Sequence, residues 1–269
     1  MDMKGWSAAQ CLASCRRYRR RNPSGLSGVD ICTALYPEVW NIYSPMGDAV
    51  YSKPYRLHWG ENPAVFMEEE ISVLVQAVRS ASPRPVIWVP ERFRAARALT
   101  GEEYEQLAWS AFMVGARTLR NHQWKNDVKN PFRENSSLER SVVEFNNDFS
   151  RVRARLDLLV PVRTWTDRDS RVKICEGWCS SRGILLFVRN LAYGDAIGKD
   201  RSVVFEYDIP QWMEAEDITD AFSGNKVDLA KAAVPAGVQN GIPFFSQFIG
   251  CKGLAPTAQQ TALLPAHRF

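Results

Sequence analysis

Residues 85–124, PVIWVPERFRAARALTGEEYEQLAWSAFMVGARTLRNHQW, limit the possible folds of this chain more than any other stretch. Pro85-Val86-Ile87-Trp88-Val89-Pro90 is a short apolar run bounded by prolines, the pattern of a parallel strand covered on both faces. Thr100 followed three residues later by Glu103 is a capping box, which starts a helix. Tyr104, Leu107, Ala108, Ala111, Phe112 and Gly115 repeat at helical spacing and give that helix one apolar face. Ala116 to Trp124 then reads as a second strand. Strand, loop, helix and strand make a βαβ unit, and Glu91 falls where the first strand meets its loop.

The chain before this unit follows the same alternation. Trp6 to Arg21 reads as a helix, stopped by Asn22-Pro23. Gly28 to Leu35 reads as a strand, ended by Tyr36-Pro37. The segment from Glu38 to Asn62 lacks clear periodicity but carries Trp40, Tyr43, Tyr51, Tyr55 and Trp59. A loop this long in a compact domain is usually functional, and so many aromatics argue against disorder. Pro63 opens the next helix. Met67, Ile71, Leu74, Val75 and Val78 form its apolar face, and Glu68, Glu69 and Glu70 lie near its positive end.

A polar loop follows Trp124. Ser136 and Glu139 form a second capping box before a long helix with Leu138, Val142, Phe145, Phe149, Val152, Leu156 and Leu159 inward. Its end at Val160-Pro161 marks a domain boundary, giving residues 1–160 and residues 161–269. The second part has short strands at Val172–Trp178, Gly183–Arg189, Ser202–Asp208 and near Thr261–Leu264, with a hairpin turn at Ser181-Arg182-Gly183. This pattern predicts a small antiparallel β-sandwich.

Charge and cysteines narrow the function classes. The net charge of +4 is mild, and its one concentrated source is Arg16-Arg17-Tyr18-Arg19-Arg20-Arg21. No nucleic-acid motif accompanies the run, so cations at the negative end of a helix dipole explain it better than a nucleic-acid patch. Six cysteines include Cys11/Cys15 and Cys175/Cys179. Each pair has a spacing that zinc accepts, but they fall on a helix and on a strand of another domain. Free buried thiols are therefore expected, with no metal and no cofactor. No apolar run reaches the roughly 20 residues of a membrane span, and residues 1–10 lack a signal-peptide core. A cytoplasmic setting is the default expectation, without a membrane or nucleic-acid partner.

Asp30 with Tyr36-Pro37, PVIWVPERF around Glu91, GEEYEQLAWSAFMVGARTL leading to Trp124, and Asp217-Ile218-Thr219-Asp220-Ala221-Phe222-Ser223-Gly224 resemble the carboxy-terminal part of a retaining (β/α)8-barrel glycoside hydrolase. The likeness is to the β-galactosidase-like clan, whose members carry an appended β-sandwich. It implies an α/β plus all-β chain: a partial TIM barrel with the last three strands, near Val29, Val86 and Thr118, then the sandwich. It also implies Glu91 as the catalytic nucleophile at the end of strand seven and Trp124 as the floor of a sugar site. Asp30, Tyr36, Trp59 and His122 join Trp124 as substrate-binding candidates. Arg92, Arg94 and Arg97 would favour an ionised Glu91 wherever their side chains approach it. His58 lacks a metal-partner set, and Glu38 is better read as a solvated loop residue.

The chemistry needs two carboxyl groups, one ionised at the anomeric carbon and one protonated at the leaving group. In the resembled family the acid/base belongs to strand four, and only about 160 residues precede the sandwich where a full barrel takes roughly 250. The expected activity is therefore glycosidase-like but incomplete in this chain alone. A missing amino-terminal half-barrel or self-association would complete it, and a non-catalytic carbohydrate-binding relative is the alternative.

Overall fold

The computed structural model describes residues 6–32, 39–54, 63–90, 99–120, 136–156, 159–169, 171–179, 183–191, 201–207, 217–220, 233–238 and 246–250. These fall into two compact units, one drawn from residues 1–100 and 110–136, the other from residues 101–109 and 137–266.

The first unit alternates helix and strand. It contains α1 (Ala8–Arg21), β1 (Gly28–Cys32), a short α2 (Trp40–Tyr43) running into a 3-10 turn, β2 (Ala49–Lys53), α3 (Pro63–Ala81), β3 (Val86–Trp88) and β4 (Ala116–Leu119). The strands form one parallel sheet in the order β1-β2-β3-β4. Sequence order thus equals spatial order, as right-handed βα crossovers produce. Among the described residues the parallel strands number four, where three were expected. The additional one, β2, lies in the stretch that looked aperiodic. Its sequence, Ala-Val-Tyr-Ser-Lys, buries Ala49, Val50 and Ser52. Tyr51 and Lys53 on its other face are half-buried, so the strand shows no clean apolar–polar alternation. The strand expected to reach Trp124 ends earlier, at Leu119.

One face of this sheet is sealed. Val29, Ile31, Val50, Val86 and Trp88 are each at most 1% exposed. Cys11 and Cys15 of α1 pack on Val29 with Tyr43 and Met46. The α1 helix begins at a capping box in which Ser7 and Gln10 satisfy each other's backbone N–H groups. Its last turn holds Arg19, Arg20 and Arg21, the placement expected for cations at a helix carboxyl end. The helix α3 corrects a second expectation. Glu70, expected only as a charge favourable to the helix's amino end, lies beyond the first turn and is 1% exposed, and its Oε1 accepts a hydrogen bond from Trp88 Nε1 at 3.1 Å. Helical spacing explains this, since Glu70 shares a face with Met67, Ile71, Leu74 and Ala77, all buried.

The amino ends of the strands are tied by polar contacts. Asp48, just before β2, accepts from the Ser27 hydroxyl at 2.7 Å and the Ser27 N–H at 2.8 Å, and pairs with Arg19. The two Ser27 bonds, and then Arg19, hold the Asp48 carboxyl down at about 2. Arg84 Nε, just before β3, donates to the Gly47 carbonyl at 2.6 Å.

In the second unit, α5 (Ser136–Leu156) packs Phe145 against Tyr104 and Trp109, at ring-centroid distances of 6.1 and 4.9 Å. Both partners lie on α4 (Gly101–Met113). That helix is buried nearly all round, not on one face, and its buried residues include Glu103, Glu105 and Gln106. Strands β5 (Leu159–Asp167), β6 (Val172–Cys179), β7 (Gly183–Asn190), β9 (Asp217–Asp220) and β11 (Ser246–Gly250) form an antiparallel sheet in the order β5-β6-β7-β11-β9. β8 (Arg201–Glu206) pairs with β10 (Ala233–Val238). The expected β6–β7 hairpin is present, with Cys179 opposite Gly183. β5 was not foreseen, because Pro161 at its start looked like a stop. Pro161 sits at a register shift on an edge strand, where a missing N–H is tolerated. Arg163 fastens β5 to the sheet through Glu176 at 2.6 Å, with its guanidinium 4.8 Å from the Trp165 ring centre and 5.6 Å from that of Tyr207.

Glu105 provides a test of the α4–α5 contact. Burial pushes its carboxyl up to about 7, helped by Glu144, Asp148 and Glu102 and opposed by a hydrogen bond from Ser141. A raised folded value means that the stabilising proton is fully in place below the unfolded value of 4.5 and is lost as pH rises through 7. Wild-type thermal stability should therefore fall between about pH 4.5 and pH 8. The Glu105→Gln variant, scanned by calorimetry, should lose that slope and exceed wild type at pH 8 by on the order of 2 kcal/mol.

Candidate functional site

The site is built on the other face of the parallel sheet. Paired residues of neighbouring strands project to the same side, so the register Gly28↔Ala49, Asp30↔Tyr51 and Cys32↔Lys53 puts Asp30, Tyr51 and Lys53 on one face. That face is polar where the opposite one is apolar. Asp30 pairs with Lys53, and the two side chains are only 9% and 16% exposed. The Tyr51 ring lies across Gly28, where a Cβ would overlap it. Glycine is therefore required there by close approach rather than by backbone conformation. Arg120, immediately after β4, holds its guanidinium 5.3 Å from the centre of the same ring. Its backbone N–H donates to the Trp88 carbonyl at 2.9 Å, which fixes its position at the end of the sheet.

These groups can do specific chemistry. Asp30, beside the Lys53 ammonium, offers carboxylate oxygens as acceptors for hydroxyl donors. Tyr51 offers an aromatic surface, and Arg120 adds an exposed cation that is anchored by the ring. Asp30 is the sole carboxylate on this face among the described residues.

Of the residues singled out in the sequence, Asp30 is described, and it is brought together with Lys53, Tyr51 and Arg120. Glu91, Tyr36, Trp59, His122 and Trp124 lie outside the described residues, as do Glu38, His58, Arg92, Arg94, Arg97 and the Thr261–Leu264 segment. In chain order, Tyr36 comes after β1, Trp59 after β2, Glu91 after β3, and His122 and Trp124 after β4. Sequence reasoning missed Lys53 and Arg120, and had Tyr51 only as one aromatic of an aperiodic stretch. The available signal was a Tyr-x-Lys spacing, which puts an aromatic and a cation on one side of a strand.

Cys11, Cys15 and Cys175 are free and buried, as expected for core thiols. Burial first, and Cys15 next, push the Cys11 thiol up to about 12, so it is inert as a nucleophile. Among the described residues no three His, Cys, Asp or Glu side chains cluster as metal ligands, and no helix is long and apolar enough to cross a membrane.

No protein-family model matches the chain, and no curated protein matches it either. Solved structures do. An Anoxybacillus α-amylase matches 94% of this chain with a TM-score of 0.62 at 10% identity. The α-amylase of Geobacillus thermoleovorans, solved with acarbose, matches 90% with a TM-score of 0.62 at 7% identity. A putative α-galactosidase of Bacteroides fragilis matches 93% with a TM-score of 0.53 at 10% identity. At such identities the likeness is one of fold. The chain has a glycoside hydrolase-like fold, with a helix-bearing parallel sheet and a separate antiparallel part, and the likeness does not single out a clan. It spans 59%, 57% and 53% of those three proteins respectively.

The Asp30–Lys53 pair is directly testable. Lys53→Met removes the cation paired with the buried Asp30 carboxylate and should destabilise the chain by about 3 kcal/mol in denaturant titration. Adding Asp30→Asn to that variant should recover more than half of the loss, a coupling that two independent surface charges would not show.

Proposed function

We propose that residues 1–160 are the distal barrel portion, and residues 161–269 the appended β-sandwich, of a retaining glycoside hydrolase of the β-galactosidase-like clan, with Glu91 as nucleophile. The observation that carries this reading is the chain order of the candidates. Tyr36, Trp59 and Glu91 follow β1, β2 and β3, and His122 and Trp124 follow β4, in chain order; the connections after such strands are where α/β barrels and open α/β sheets build their sites. Lys53 ends β2 and Arg120 follows β4, while Asp30 and Tyr51 stand mid-strand and the Tyr51 ring reaches back over Gly28. A carbohydrate ligand is further supported by the acarbose complex of the Geobacillus amylase fold. The clan assignment rests on the motifs around Asp30 and Glu91.

In this mechanism Glu91, ionised, attacks the anomeric carbon and forms a glycosyl-enzyme bond as the leaving group departs. A second carboxyl outside this chain protonates the leaving oxygen and then activates the water that releases the sugar. Asp30 accepts a hydrogen bond from a sugar hydroxyl, with Lys53 holding the carboxylate in place. Trp124 and Trp59 supply apolar surface for the sugar ring, and Tyr36 and His122 contribute polar contacts.

The second reading is a carbohydrate-binding relative without catalysis. It is favoured by the aromatic and charged surface of the inner face, with Tyr51 beside the Asp30–Lys53 pair and Arg120. A panel of aryl glycosides, β-galactosides and α-glucosides included, separates the two. In the complete protein Glu91→Gln should lower kcat at least 100-fold (on the order expected for removal of a group that acts in the transition state). Glu91→Gly supplied with azide should regain turnover with inverted anomeric configuration. Wild-type turnover in the Gln variant contradicts the nucleophile assignment, and sugar binding without any turnover selects the second reading.

A further inference from the structure

Among its described residues, the inner face of the parallel sheet carries one more cation than carboxylate. Asp30 opposes Tyr51 in the register, Tyr51 opposes Ile87, and Ile87 opposes Thr118, so the four form one row across the sheet. Lys53 lies two residues beyond Tyr51 and Arg120 two beyond Thr118, which puts both cations on the same face. The Lys53 ammonium pairs with the Asp30 carboxylate, and their side chains are only 16% and 9% exposed. Arg120 is in a different position. It is exposed, its backbone N–H bonds to the Trp88 carbonyl, and its guanidinium lies 5.3 Å from the centre of the Tyr51 ring. Among the described residues no carboxylate pairs with that guanidinium.

A ring beneath a guanidinium orients the cation without neutralising it. It engages the face of the group and leaves the N–H donors in the plane, where they can grip a carboxylate with two parallel bonds. Lys53 matters here as well. By pairing with Asp30 it offsets the repulsion that a lone carboxylate would exert on an anionic ligand. A sugar with hydroxyls alone uses the acceptor at Asp30 and leaves the Arg120 charge unmatched. A sugar acid matches both, and Tyr51, beside Asp30 in the register and under Arg120, joins the two contacts. We propose that the inner face takes an acidic sugar, a hexuronate or an oligosaccharide containing one. Arg120 binds its carboxylate, and Asp30 accepts from one of its hydroxyls. This rests on the reading of the face as a sugar site and does not require catalysis.

The test is an NMR titration of the full chain with the methyl glycosides of galactose and galacturonate, and of glucose and glucuronate. Each pair differs only in the group at C6, a hydroxymethyl or a carboxylate. At least one acid should bind about 10-fold or more tightly than its neutral counterpart. The Arg120 Nε–H resonance should shift with that acid and stay in place with the neutral sugar. In Arg120→Gln the two members of the pair should bind within about 2-fold of one another. Arg117→Gln removes a neighbouring exposed cation and should keep the preference. If Arg120→Gln fails to fold, the wild-type ratios and the Arg120 resonance still decide. Equal affinities within both pairs overturn the acidic-sugar assignment and leave a neutral-sugar site. So does a preference that survives in Arg120→Gln or disappears in Arg117→Gln. If none of the four sugars binds this face, the sugar reading falls with it.

Discussion

Parallel pairing is the constraint on which the first unit depends. Each strand of β1–β4 must be re-entered from the same end, so every connection crosses back over a sheet face. The chain therefore leaves the sheet repeatedly at one edge, and that edge collects loops that are free to differ. The opposite edge collects the returns, and here it is tied by fixed polar contacts, Asp48 to Ser27 and Arg19, and Arg84 to the Gly47 carbonyl. Rigid tethering at the amino end and chemical variety at the carboxyl end are the two sides of one topology.

The same asymmetry runs through the sheet's thickness. On the outer face the sheet is apolar, and the buried Trp88 Nε1 finds its partner in Glu70. Such a carboxylate is costly to bury, and it ties α3 to β3 with a direction that apolar contact lacks. On the inner face a buried ion pair, an aromatic ring and an anchored guanidinium take the place of aliphatic packing. An isolated charge in that setting would be expelled or neutralised, so the Asp30–Lys53 pairing is what permits either group to sit there.

Much of the architecture was legible in the sequence. The prolines around Val86–Val89, the capping residues and the 3.6-residue spacings announced β3, α3, α4 and α5 and the change to antiparallel strands. What escaped notice did so for physical reasons. β2 carries too few residues and too little alternation to register, and β5 begins at a proline that only an edge bulge excuses. Glu70 and Glu105 look like solvated helix charges until the neighbouring elements are in place to bury them. For the candidate site, Asp30 was identified from the chain alone, whereas Lys53, Tyr51 and Arg120 needed the register. Strand pairing, not local pattern, brings residues 30, 51, 53 and 120 together.

The central claim is that this inner face of the parallel sheet receives a sugar. A backbone chemical-shift map of the full chain, titrated separately with maltotriose and with galactose, tests it most directly. The account predicts that at least one sugar shifts Asp30, Tyr51, Lys53 and Arg120 while leaving Ser27, Asp48 and Arg84 in place. Saturable shifts confined to the amino-end residues or to the antiparallel sheet, with the inner-face group unmoved, would contradict it.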